Sequence, residues 1–114
     1  MNTYYNGFDS QEVTFKTAAT LTPKRAVALQ NSGDVYYPES GEPFTGIVTD
    51  YRNGIATVVI RGWAEVNFKN TLPTIGICRL AVGSSGCLEA DYENGKPYTV
   101  LNVNTKTKTM EIIL

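Results

Sequence analysis

The residues best spaced for chemistry in this chain are carboxylates. Glu89, Asp91 and Glu93 alternate along one stretch, and Glu39 and Glu42 flank a turn. A spacing of two sets Glu89, Asp91 and Glu93 on one face of a strand. A carboxylate pair there could do acid–base work on a glycoside or hold a cation. The plainer expectation is a solvated outer face. Calcium takes six to eight oxygens from a shaped loop, and no Asp-rich loop of that kind is present. The sequence contains no histidine. That removes the commonest general base and metal ligand, and with it any Ser–His or Cys–His nucleophile pair. Cys78 and Cys87 are the two cysteines, without CxxC spacing. They read as two buried thiols on neighbouring strands, with a disulfide as the alternative. Gly83-Ser-Ser-Gly86 lacks the Lys and the helix of a phosphate cradle and reads as a turn. No catalytic residue, cofactor site or metal site is expected, and the chain is not expected to be an enzyme.

The elements that would position any site are strands. Thr, Val, Ile, Tyr and Phe are frequent, and Gly, Asn, Pro and Ser punctuate the chain at short intervals. The clearest signal is the hairpin Gly46 to Ile60, turning at Asn53-Gly54, where a type I′ turn needs positive φ twice. Its return strand, Ile55 to Ile60, is apolar except at Thr57 and predicts a strand covered on both faces. A second Asn-Gly, Asn94-Gly95, sits between Leu88–Tyr92 and Tyr98–Val103. Further strands are predicted at Val13–Ala18, Val35–Tyr37, Trp63–Phe68, Gly76–Val82 and Thr109–Leu114. The stretch Lys24 to Gln30 suits a short helix or a strand. Nine to ten short strands in 114 residues predict an all-β fold, a small sandwich or barrel.

The chain also repeats itself. Gly41-Glu-Pro-Phe-Thr45 returns as Gly95-Lys-Pro-Tyr-Thr99, and Val58-Val-Ile60 returns as Ile112-Ile-Leu114, each 54 residues later. Ser32-Gly33 returns as Ser85-Gly86 at an offset of 53. The expectation is two similar β-meanders, about residues 28–60 and 81–114, facing each other across one core. They belong to a single β domain over residues 12–114, preceded by an N-terminal arm over residues 1–11. Ala18 and the residues before it are expected to lie outside the repeat.

Composition narrows the function. With 42% hydrophobic and 18% charged residues, the chain should fold as a globular domain. Ten basic and eleven acidic residues are scattered, with no basic stripe, so no nucleic-acid partner is expected. No apolar run approaches the ~20 residues of a membrane span. Met1 to Ser10 lacks the features of a secretion signal, so a soluble protein made in a reducing cytoplasm is expected. The aromatics are the candidate contact residues, because aromatic side chains anchor protein interfaces. Tyr4, Tyr5 and Phe8 crowd a polar N-terminal segment. Tyr36 and Tyr37 are adjacent, so a strand must turn one ring in and one out. Trp63 opens a short strand, either as an anchor or as core.

In order along the chain, Val13-Thr-Phe-Lys16, Arg25-Ala-Val-Ala-Leu29, Phe44-Thr-Gly-Ile-Val48, Arg52-Asn-Gly54 and Thr109-Met-Glu-Ile-Ile-Leu114 resemble the small phage capsid decoration, or head cement, proteins. The resemblance spans roughly residues 12 to 114. Its motifs are mostly Gly, Val and Thr at turn and strand spacing, and their order carries it. It implies a β-rich structural module that docks on the outside of a capsid. The implied partners are the major capsid protein and further copies of the chain, often as trimers. It implies synthesis in the bacterial host cytoplasm and residence in the virion, and it brings no catalytic residues. The aromatic N-terminal segment departs from the smallest such proteins and leaves a head-fibre anchor as an alternative. A carbohydrate-binding β-sandwich with Trp63, Tyr36 and Tyr37 as a stacking platform is the rival function.

Overall fold

The structure is a computed structural model that describes residues 10–114. Ten strands follow one another: β1 (Gln11–Lys16), β2 (Ala26–Leu29), β3 (Val35–Tyr36), β4 (Gly46–Arg52), β5 (Ile55–Arg61), β6 (Trp63–Asn67), β7 (Gly76–Val82), β8 (Leu88–Ala90), β9 (Lys96–Asn104) and β10 (Thr109–Ile113). The only helix among the described residues is one 3₁₀ turn, Ser84–Gly86. The strands form two five-stranded antiparallel sheets, packed as a small β-sandwich. The first sheet has the order β1-β5-β4-β2-β3 and the second β6-β10-β9-β7-β8.

The second order is the first with five added to every strand. The registers repeat as well. In the β4–β5 hairpin Thr49 is an extra residue, because Val48 faces Val58 and Asp50 faces Thr57. In β9–β10 Leu101 is the extra residue, because Val100 faces Ile112 and Asn102 faces Glu111. Such a bulge adds one residue to one strand and bends it, and it sits at the same place in both halves. Each half also brings its first strand towards its third. Thr17 Oγ1 donates to the Val35 carbonyl at 2.7 Å, and Phe68 bridges to Leu88. The repeating pattern therefore takes in β1, which the sequence repeat leaves outside. Neither half is a simple meander, because β1 pairs with β5 and β2 with β4.

Local chemistry explains the connections. Asn53 and Gly54 both have positive φ, 48° and 78°, as a type I′ turn requires. Asn94-Gly95 closes no hairpin, since β7 lies between β8 and β9. There the Asp91 carboxylate accepts from the backbone N–H groups of Glu93 and Asn94, and the chain crosses over β7. The Lys24 to Gln30 stretch resolves as strand β2. Lys24 itself has φ 67°, outside the right-handed helical region, and Ala26, Val27 and Ala28 are all buried, which a strand covered on both faces allows. The first strand starts at Gln11, two residues before the expected Val13, and ends at Lys16.

Alternation along the paired strands defines the faces. One face of the first sheet carries Ala26, Ile47 and Val59. These join Ala64, Val66, Leu80, Leu88, Val100, Met110 and Ile112 of the second sheet in the larger core cluster. The opposite face carries Val27, Val48, Ala56 and Val58, under Leu21 and Ala19 of the β1–β2 connection. Strand β5 is thus apolar on both sides because both sides are covered. Polar contacts tie the halves together. The Asn67 N–H donates to the Lys24 carbonyl at 2.7 Å, and the Gly41 N–H to the Val82 carbonyl at 2.9 Å. Arg25 Nη1 donates to the Ser85 carbonyl at 2.9 Å. Gly86 has φ 77°, and a Cβ there would stand 2.6 Å from the Ala26 carbonyl oxygen and 2.7 Å from the Tyr37 ring. Only glycine fits this close approach.

Candidate docking surface

Glu42, Glu89 and Asp91 line one open concavity, but each is engaged in its own local contact. Strand β8 ends at Ala90, so Asp91 and Glu93 lie in the following turn and share no strand face with Glu89. Glu89 accepts from Asn70 Nδ2 at 2.8 Å. Two backbone hydrogen bonds, from Asn94 and then Glu93, hold Asp91 below the ordinary carboxylate value. Glu42 Oε1 accepts from the Glu39 N–H at 2.7 Å, closing the turn between them. These carboxylates shape loops. Among the described residues no three acidic, cysteine or histidine side chains gather as metal ligands. Cys78, on β7, and Cys87, just before β8, are buried free thiols. Gly83 to Gly86 forms a closed turn, its Gly83 N–H donating to the Cys87 carbonyl at 2.7 Å.

The candidate aromatics separate. Tyr4, Tyr5 and Phe8 lie outside the described residues. Tyr37 packs into the smaller core cluster, and its hydroxyl accepts from the Thr22 N–H at 2.6 Å. Tyr36 is half-buried on edge strand β3 of the first sheet, opposite Ala28. Trp63 is half-buried on β6, an edge of the second sheet, and its carbonyl accepts from Ser10 Oγ at 3.2 Å. A stacking platform would need the three rings together, and they sit on different elements and faces.

The feature that sequence reading missed is a row across the second sheet. Trp63 faces Ile113, Ile113 faces Thr99 and Thr99 faces Ile77, so the four side chains cross β6, β10, β9 and β7 on one face. Ile77 is 79% exposed, and Ile75 just before it is 67% exposed. Leu72, in the same β6–β7 connection, is also exposed. Three large aliphatic side chains thus stand in solvent within six residues of sequence. Polar side chains border the row. Glu65 and Glu111 lie two residues along on one side, and Arg79 two residues along on the other. Glu65 also pairs with Lys24 Nζ at 3.2 Å. The signal available in the sequence was Ile77 next to Cys78 in a strand, where alternation puts the isoleucine on one face and the thiol on the other.

Comparison with protein-family models, with curated proteins and with solved structures found no match to this chain.

Proposed function

We propose that this chain is a structural virion protein that binds the outside of a phage capsid and decorates or stabilises it. The observation that carries the reading is the cluster of exposed aliphatic side chains at the start of β7, Ile77 on the strand with Ile75 and Leu72 in the connection before it. Large aliphatic side chains held in solvent, one of them on a paired strand, favour burial against another protein. A sheet face loses little conformational freedom on docking, which keeps the cost of binding low. The near-balanced, scattered charge favours protein over nucleic acid as the partner. The sequence resemblance supplies the partner's class, the major capsid protein, with assembly from the host cytoplasm onto the head. The test is co-sedimentation of the chain with purified phage capsids. Saturable retention supports the proposal, and a chain left entirely in the supernatant at micromolar concentration refutes it.

A further inference from the structure

We infer that the row Trp63–Ile113–Thr99–Ile77 pairs face to face with the same row of a second copy of this chain, making a twofold dimer. This rests on reading that face as a docking surface, and it names the partner the face meets first.

The argument comes from the repeat. In the first sheet, Glu12 faces Val59, Val59 faces Ile47 and Ile47 faces Ala26. In the second, Trp63, Ile113, Thr99 and Ile77 hold the same four places, on the corresponding strands and at the same distance from the bulge. The first row is an interface already. Ala26 and Ile47 are 0% exposed and Val59 2%, covered by the second sheet. The second row keeps large aliphatic side chains at Ile113 and Ile77, and among the described residues no sheet packs over it. One β-sheet face is therefore used twice, once inside the chain and once at its surface.

The occupant follows from what the chain has left to offer. Continuing the internal stacking head to tail would lay the second row on the far face of another copy's first sheet. That face already lies under Leu21 and Ala19 of its own β1–β2 connection. Between copies of the chain, the exposed face meeting itself is the contact that remains, and such a contact is isologous and closes as a dimer. Its border carries Glu65 and Glu111 on one side and Arg79 on the other, so two copies bring both signs of charge to one interface. Four strands at roughly 4.8 Å spacing make a row about 15 Å across. A contact of that width belongs with the smaller protein interfaces, so the dimer is to be looked for up to high micromolar concentration.

The test is sedimentation velocity of the whole chain from low to high micromolar concentration, with Ile77→Asp and Thr99→Asp, and with Ile55→Asp as a control on the first sheet. The wild type and Ile55→Asp should move from monomer to dimer. The two row variants should weaken the dimer at least tenfold while melting within a few degrees of the wild type, since both side chains are exposed in the monomer. A wild type that stays monomeric, a dimer indifferent to Ile77→Asp, or a trimer would overturn the inference. Co-sedimentation with capsids keeps the two proposals apart. A monomer that binds capsids and loses them on Ile77→Asp gives the row to the capsid, ending the dimer and keeping the decoration reading. A dimer lost on Ile77→Asp in a chain that ignores capsids does the reverse. A dimer that appears only when residues 1–9 are removed gives the row to the chain's own N-terminal segment and overturns the inference.

Discussion

The ring of Phe44 packs against the ring of Tyr98, with centroids 5.6 Å apart and planes inclined by 30°. These are the aromatic residues of the two Gly-x-Pro-aromatic-Thr copies, so the repeated motif joins the halves of the molecule across their junction. Both rings lie against the larger core. Phe44→Ala should cost about 2 kcal/mol, below the full value of a buried phenylalanine because the ring is half-buried. A double-mutant cycle with Tyr98→Ala should show coupling of about 0.5–1.5 kcal/mol. Denaturant unfolding of the four proteins measures it. Additive losses would mean the rings touch without stabilising each other.

Stability should be flat between about pH 6 and 8, since the chain has no histidine and no other side chain ordinarily titrates there. Outside that window two groups act in opposite directions. The Asp91 pKa is depressed by its backbone hydrogen bonds, so its contribution is present above the ordinary value of 3.8 and is lost as pH falls through the folded value. The Tyr98 pKa is raised by burial, so its contribution is present below 10.0 and is lost as pH rises through the folded value. Tyr98→Phe should therefore lessen the loss of stability above about pH 10 and leave neutral melts nearly unchanged. Thermal melts from pH 3 to 11 test both signs. A shift of more than ~5 °C between pH 6 and 8 would reveal a strongly perturbed group elsewhere.

Strand β10 lies between β6 and β9, with Met110 and Ile112 buried beneath it. Removing Met110 to Leu114 should unfold the chain or drive it to aggregate, because it takes away an interior strand of the second sheet and leaves β6 and β9 with unpaired edges. Ile112→Ala alone should cost about 3 kcal/mol. Circular dichroism melts and solubility report both. A soluble truncation that unfolds cooperatively would show that the second sheet closes without β10.

Most strands were legible because period-two patterns and turn residues coincide. Gly76–Val82 was placed to the residue, and Asn53-Gly54 fixed its hairpin by backbone chemistry alone. Pairing was less legible. Asn94-Gly95 carries the same hairpin signature, yet β7 inserts between its flanking strands, and nothing local to the turn encodes that. The docking row was hidden for a related reason. Ile77 and Cys78 are neighbours of similar hydrophobicity, one exposed and one buried, and only the pairing of whole sheets decides which face is covered. The Glu89–Asp91–Glu93 alternation misled because the Asp91 side chain bonds its own backbone and ends the strand first.

The N-terminal segment should matter for binding more than for folding. Among the described residues strand pairing begins at Gln11, opposite Arg61, so removing residues 1–9 leaves every described strand intact. The melting temperature should move by only a few degrees. Loss of Tyr4, Tyr5 and Phe8 should weaken capsid binding at least tenfold, about 1.4 kcal/mol, if these aromatics anchor the contact. Paired isotherms on the same capsids measure the difference. Equal affinities would leave the contact to the folded body, where Ile77, Thr99 and Trp63 are the next residues to vary.

The most direct measurement is image reconstruction of capsids with and without the added chain. The decoration reading predicts extra density on the outer surface at symmetry-related positions, each the size of one or two of these two-sheet bodies. Identical maps at saturating chain concentration, or density only inside the shell, would contradict it.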